Sequence, residues 1–154
     1  METPQLRLTQ HVDAPAASVW AVLTDVEHAA DTLSGVEAVE MLTEGPYAVG
    51  TRWRETRTMM GMTASEEMEV TEVEEGHRTI VAAQNGEVAY RTVFTVREKP
   101  TGTDLTMVFG SEMPAQRGLA KLLGAVMGRI GLRASQRAME QDLQDIAAAA
   151  VARG

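Results

Sequence analysis

The residues best suited to chemistry in this sequence lie two apart in the segment TRWRETRTM. Trp53, Glu55, Arg57 and Met59 share one parity, and alternate residues of a β-strand point to the same face of its sheet. Because Trp53 and Met59 are large and apolar, we expect that face to be covered. Proteins keep partly buried charges where they are paired or used. We therefore expect Glu55 and Arg57 to point into one interior space, as an ionised pair that orients a ligand.

A second interpretation of the same segment stays open. The face of the sheet that carries these residues would then be solvated near its rim. The charges of Glu55 and Arg57 would merely pair across strands, which is worth about 0.2–1 kcal/mol per pair.

Polar residues also alternate with apolar ones on the segments that follow. Glu66, Tyr90 and Ser111 each share a parity with large apolar side chains. The residues that we expect to line the same interior space are Glu66, Met68, Tyr90, Phe94, Met107, Phe109 and Ser111. Tyr90 and Ser111 would orient a ligand by hydrogen bonding, although Tyr90 is also compatible with a core position that leaves its hydroxyl at the edge.

Recognised catalytic and metal-binding patterns are missing from the sequence. There is no cysteine, and the three histidines, His11, His28 and His77, do not have the spacing of a zinc site. A serine nucleophile elbow, a P-loop and a dinucleotide-binding glycine motif are also missing. We therefore expect no metal and no cofactor. The catalytic residues, if there are any, stay unidentified, with Glu55, Arg57 and Tyr90 as candidates for acid–base work.

Length and composition restrict the class of protein. The 154 residues are 44% hydrophobic and 23% charged, which predicts one globular domain over residues 1–154. A formal net charge of −8 argues against nucleic-acid binding, which needs a basic surface. No apolar run is long enough for a membrane span, and the first residues do not look like a secretory signal. We expect a cytoplasmic protein.

The elements that must position these residues follow a simple order. A strand ending near Val12 precedes a helix, in which Pro15 suits the first turn and apolar residues repeat with helical spacing. Residues 36–113 read as a succession of strands, with Asn85-Gly86 as a hairpin signal. Turns at such short intervals predict an antiparallel meander. Residues 115–151 have helical composition, and such a helix would be about 50 Å long.

Three glycines interrupt the apolar start of that helix, in KLLGAVMGRIGL. Gly124, Gly128 and Gly131 lie on one helical face, although each glycine costs a helix about 0.5–1 kcal/mol. We expect a cavity next to this stretch, formed either because a straight helix presents its glycines to it or because the helix kinks near Gly128–Gly131. Close packing of the glycine backbone on the sheet is the alternative.

The order of elements and several motifs resemble the helix-grip proteins of the START-like (SRPBCC) superfamily, in its polyketide cyclase/dehydrase and lipid-transport branch. The resemblance covers nearly the whole chain. The segments that carry it are VDAPAASVWAVLTDVE, VGTRWRETRTMMG, the pair Gly102-Thr103, and RAMEQDL. It implies an α+β fold in which a curved antiparallel sheet of about seven strands wraps a long C-terminal helix, with two short helices after the first strand. It also implies an apolar cavity between sheet and helix.

Three functions are compatible with that resemblance. The first is binding of a hydrophobic small molecule, lipid-like or polyketide-like, without chemistry. The second is a cyclase- or dehydrase-like enzyme that acts on an enolisable aromatic precursor. The third is a protein-interaction module that uses the apolar face of residues 119–130. A homodimer is possible in each case.

Overall fold

The computed structural model describes the backbone of residues 5–59, 61–85, 88–112 and 119–153. It describes the side chains of the same residues apart from 59, 84–85, 88, 111–112, 119–132 and 135. Seven strands and three helices make up this part of the chain. The strands are β1 (Gln5–Val12), β2 (Val36–Met41), β3 (Arg52–Met59), β4 (Met62–Glu74), β5 (Arg78–Asn85), β6 (Val88–Lys99) and β7 (Gly102–Glu112). The helices are α1 (Ala16–Thr24), α2 (Ala29–Thr32) and α3 (Leu119–Arg153), and a 3₁₀ turn (Val26–His28) joins α1 to α2.

All seven strands form one antiparallel sheet. Its order is β1-β7-β6-β5-β4-β3-β2, so β2 to β7 are a meander and β1 is added beside β7. The first two strands along the chain therefore lie at opposite edges. Helices α1 and α2 connect these two edges. The predicted α+β helix-grip fold, with its curved sheet and two short helices after the first strand, is confirmed.

Hairpins set the register of the meander. The turn between β3 and β4 contains Gly61, whose φ of 77° favours a residue without a Cβ. In this register Trp53 lies opposite Met68, and Glu55 lies opposite Glu66. Odd-numbered residues of β3 and even-numbered residues of β4 therefore share one face of the sheet. Strand β5 pairs with β6 up to Asn85 and Val88. Residues 86 and 87, and with them Gly86 of the predicted Asn85-Gly86 turn, lie outside the described residues.

The last helix is one continuous element of 35 residues, as expected from its composition. In its second half, one stripe of side chains is buried against α1 and the sheet, and its members are Met139, Asp142, Leu143, Ile146 and Ala150. Their spacing of three or four residues gives them a common face. The burial of residues 119–132 is not described, so the prediction that Gly124, Gly128 and Gly131 face a cavity lies outside the described set.

One end of the sandwich between sheet and helices is densely packed. Its core contains Val12, Val19, Trp20, Val96, Leu105, Leu143, Ile146 and Ala150. The β6–β7 turn packs beside this core, at the end of β1. There Gly102 has φ 143°, and the Thr103 hydroxyl donates to the Ala14 carbonyl over 2.8 Å. This contact holds the connection between β1 and α1 against β7.

Candidate ligand cavity

A cavity of about 460 Å³ lies between the inner face of the sheet and the three helices. Its walls are mostly apolar. The apolar side chains that line it include Val22, Leu23, Val26, Leu33, Trp53, Met68, Val81, Ala83, Phe94, Met107, Phe109 and Ile146. Five charged residues share the lining, and they are Asp25, Glu55, Arg57, Glu66 and Asp142.

Most of the residues predicted from strand parity lie around this space. The lining contains Trp53, Glu55, Arg57, Glu66, Met68, Tyr90, Phe94, Met107 and Phe109. Arg52 and Arg54, of the opposite parity, face away from it, since they pair with Glu67 and Glu40 on the outer face. The side chains of Met59 and Ser111 lie outside the described set, and so does the surface of the helix at Gly124, Gly128 and Gly131.

The charged part of the lining is organised around Arg57. Its Nη1 and Nη2 donate to Oδ1 and Oδ2 of Asp142, each over 3.0 Å, which is the two-point geometry that matches a guanidinium to a carboxylate. Its Nε donates to Glu55 Oε2 over a longer 3.4 Å. The interior ion pair expected between Glu55 and Arg57 is therefore a triad, in which Asp142 is the nearer partner of the guanidinium.

Burial acts on both members of the Arg57–Asp142 pair. For Arg57, burial alone lowers the pKa, but the charges and hydrogen bonds of Asp142 and Glu55 outweigh it and raise the pKa above its usual value. For Asp142, burial raises the pKa, and the guanidinium of Arg57 only partly counteracts this. The arginine thus stays charged, and its charge is already used by the protein.

Asp142 was missed in the sequence because an acidic residue in a helix usually faces water. Its position carried a signal nonetheless. It lies three residues after Met139 and four before Ile146, both of which are buried. A carboxylate on the apolar stripe of an amphipathic helix indicates a buried partner.

Two carboxylates and a phenol of the sheet, those of Glu55, Glu66 and Tyr90, also line the cavity. Glu55 is 8% exposed and lies directly opposite Glu66 across β3 and β4. The ring of Tyr90 stacks on Phe109 with a centroid distance of 5.6 Å. Burial raises the pKa of Tyr90, and the charge of Glu66 raises it further. Tyr90 therefore remains a protonated hydroxyl at neutral pH.

Sequence patterns did not indicate the contributions from α1, α2 and the β2–β3 connection. Asp25, Leu33 and Tyr47 line the cavity, and the Tyr47 hydroxyl forms a hydrogen bond with Thr79 Oγ1 over 2.7 Å. Trp53 is 4% exposed, and its Nε1 has no hydrogen-bond partner among the described residues. The ring of the indole contributes apolar surface to the cavity wall, while its N–H stays an unsatisfied buried donor in the described part of the chain.

The Arg57–Asp142 pair also borders a second, smaller cleft of about 270 Å³. The other residues that line this cleft include Ser34, Gly35, Thr58, Arg137 and Gln141. Among the described residues, no group of three or more histidine, cysteine or acidic side chains is arranged to hold a metal ion. The chemistry that the lining offers is thus apolar contact, hydrogen bonding and proton exchange with carboxylates or a phenol.

A curved antiparallel sheet that wraps a long C-terminal helix, with a cavity between the two, defines a helix-grip protein of the START-like superfamily. The chain belongs to the family described as polyketide cyclase/dehydrase and lipid transport, whose model matches residues 3–151. No curated protein sequence matches the chain significantly.

Solved structures share the fold at low sequence identity. The Zhui aromatase/cyclase from Streptomyces sp. R1128 superimposes with a TM-score of 0.82 at 19% identity, over 99% of this chain and 96% of that one. The protein TTHA0849 from Thermus thermophilus gives 0.81 at 19% identity, over 98% and 99%. A START superfamily protein from Mycobacterium smegmatis gives 0.65 at 14% identity, over 92% and 98%.

No helix in the described part of the chain is long and apolar enough to cross a bilayer.

Proposed function

We propose that the protein binds a hydrophobic small molecule, lipid-like or polyketide-like, in the cavity between the sheet and α3. One observation carries the proposal, namely an apolar cavity of about 460 Å³ inside a chain of 154 residues. Ligand pockets have volumes of about 300–1,000 Å³, apolar walls and a few polar groups that fix orientation. A void of this size left empty would forfeit packing energy along its whole surface. Membership of a family described by polyketide cyclisation and lipid transport supports the same function.

Neighbouring alanines on β5 provide a matched test. Ala83 lines the cavity, whereas Ala82 points to the opposite face, where its partners across the sheet are Glu69 and Arg91. Ala83→Leu should reduce the affinity for the neutral fluorophore N-phenyl-1-naphthylamine at least about tenfold, equivalent to about 1.4 kcal/mol. Ala82→Leu should leave that affinity unchanged. Fluorescence titration gives both constants.

Equal affinities in the two variants would refute the cavity as the binding site. Thermal unfolding monitors whether Ala83→Leu folds. If it does not, Ala138→Leu fills the same cavity from α3, since Ala138 also lies in its lining. Native mass spectrometry of the protein from its own host would then show whether a small molecule co-purifies.

A second candidate function is a cyclase- or dehydrase-like activity on an enolisable ligand. Its specific support is that Glu55, Arg57 and Tyr90 line one cavity, where they would position a carbonyl and exchange protons. Against it, Arg57 is bound to two carboxylates of the protein. We therefore place binding first.

Glu55→Gln separates the two functions. A general base would lose turnover of a poly-β-ketone while ligand affinity is kept, whereas an orienting residue would lose affinity first. We expect affinity to fall. Loss of turnover at unchanged affinity would establish the enzyme instead. The third prediction, an interaction module on residues 119–130, concerns side chains outside the described set and stays a prediction, as does the homodimer.

A further inference from the structure

The charges around the cavity are unbalanced. Among the described residues of the lining, four are acidic, namely Asp25, Glu55, Glu66 and Asp142, and one is basic, Arg57. The formal charge of this set is one minus four, or −3. An apolar cavity with a negative wall is a selective environment, because its low dielectric strengthens every charge interaction inside it.

The single guanidinium does not offset this charge for a ligand. All three nitrogen positions of Arg57 donate to protein carboxylates, two of them to Asp142 over 3.0 Å and Nε to Glu55 over 3.4 Å. These bonds use three of the five N–H groups of the guanidinium, and the triad of Arg57, Glu55 and Asp142 keeps a formal charge of −1. A ligand carboxylate that displaced Asp142 would break the two-point pair. That exchange would leave Asp142 buried without its partner, which costs several kcal/mol.

Asp25 forms a hydrogen bond with His28 over 2.8 Å. The carboxylates with acceptor capacity left for a ligand are therefore Glu66 on β4 and, beside its bond with Arg57, Glu55 on β3. Glu55 and Glu66 lie directly opposite each other across the two strands, a position in which Cβ atoms are about 4.5–5.5 Å apart and like charges repel. The charge of Glu66 also reaches Tyr90 and raises the pKa of its hydroxyl. A hydrogen-bond donor placed between these carboxylates would relieve the repulsion between them.

Resting on the proposed function, we infer that the ligand is an apolar molecule whose polar end donates hydrogen bonds to Glu55 and Glu66. That end is a hydroxyl or an ammonium group. The cavity discriminates against molecules whose polar end is a carboxylate or a phosphate, because such a group adds a negative charge beside Glu66 and finds no unpaired cation in the described lining.

Three amphiphiles with the same twelve-carbon chain test this inference on the full chain. Dodecanol is neutral, dodecylamine is a cation and dodecanoate an anion at neutral pH. Each is titrated, below its micellar concentration, as a competitor of N-phenyl-1-naphthylamine. We expect dodecanol and dodecylamine to bind at least about tenfold more tightly than dodecanoate. A further preference for dodecylamine would identify the preferred donor as a cation, and equal binding would show that the cavity accepts a neutral or a cationic donor.

Glu66→Gln should reduce the ratio between the affinities for dodecylamine and dodecanoate at least about threefold. Glu67→Gln is the matched control, because Glu67 is the next residue on β4 and faces outward, where it pairs with Arg52 and Arg54. It should leave the ratio unchanged. An equal change in both variants would overturn the assignment to Glu66.

Two outcomes separate this inference from the proposed function. Dodecanoate binding as tightly as dodecanol would overturn the inference and leave ligand binding in the cavity intact. If the fluorophore and all three amphiphiles fail to bind, the proposed function itself is refuted. The wild-type series decides between these outcomes even if Glu66→Gln does not fold.

Discussion

Arg57 on β3 and Asp142 on α3 are joined by two parallel hydrogen bonds of 3.0 Å each, across the boundary between the sheet and the last helix. Their side chains are 21% and 10% exposed. The pair fixes the middle of α3 over β3 and forms one wall of the cavity. It therefore contributes to the structure of the cavity as well as to its charge.

Asp142→Asn should lower the free energy of unfolding by about 3 kcal/mol. Removing one partner of a buried pair costs about 3–5 kcal/mol, and the lower end applies because Glu55 remains as a second acceptor for Arg57. Urea denaturation measures the change. Glu140→Gln, at an exposed position of the same helix, is the control and should change stability by less than about 0.5 kcal/mol. Similar losses in both variants would show that the pair contributes nothing specific.

Gly102→Ala should destabilise the fold more than Gly45→Ala. Both glycines have positive φ, 143° and 97°, so both variants carry backbone strain of about 1–3 kcal/mol. A Cβ at Gly102 would also clash with the Val12 carbonyl oxygen, whereas one at Gly45 meets nothing within 4 Å. The difference between the two melting temperatures isolates the contact. Equal melting temperatures would mean that the β6–β7 turn moves away from β1 without cost.

The pKa of His11 should lie above its usual value of about 6.5. The hydrogen bond of its Nδ1 with Asp104 raises the pKa most, and the Thr101 carbonyl near Nε2 adds to this, while slight burial opposes both. The folded state thus binds the proton more tightly than the unfolded state. The resulting stability is fully present below about pH 6.5 and is lost as pH rises through the folded-state pKa.

A proton NMR titration of the histidine rings measures this pKa directly. Asp104→Asn should return the His11 pKa towards its usual value. His28 is the internal control, because the pKa of its own ring is raised by Asp25, which the substitution does not touch. An unchanged His11 pKa in Asp104→Asn would show that Asp104 is not its cause.

Local patterns predicted the elements and much of the sheet side of the cavity. The alternation of Trp53, Glu55 and Arg57 indicated their common face, because a strand has only two faces and large apolar residues mark the covered one. The extent of α3 followed from its composition. These features depend on residues close together in the sequence, so they are visible without the tertiary structure.

The partner of Arg57 was not predictable in the same way. Glu55 was the expected partner because it is two residues away, but Asp142 is 85 residues away and lies nearer to the guanidinium. The contributions of Leu33 and Tyr47 likewise depend on where packing places the α2–β2 connection and the β2–β3 loop. Such placements are decided by packing between distant segments and not by periodicity.

The position of β1 at the far edge of the sheet has a consequence for folding. Strands β2 to β7 pair with their neighbours in sequence, whereas β1 pairs with β7, so that Gln5 meets Gly110 across about 100 residues. Closing that loop costs chain entropy that the local hairpins do not pay. We therefore expect the meander to form first, and β1, α1 and α3 to close over it in the last step. A ligand that binds only the closed state would slow unfolding and raise the melting temperature with its concentration.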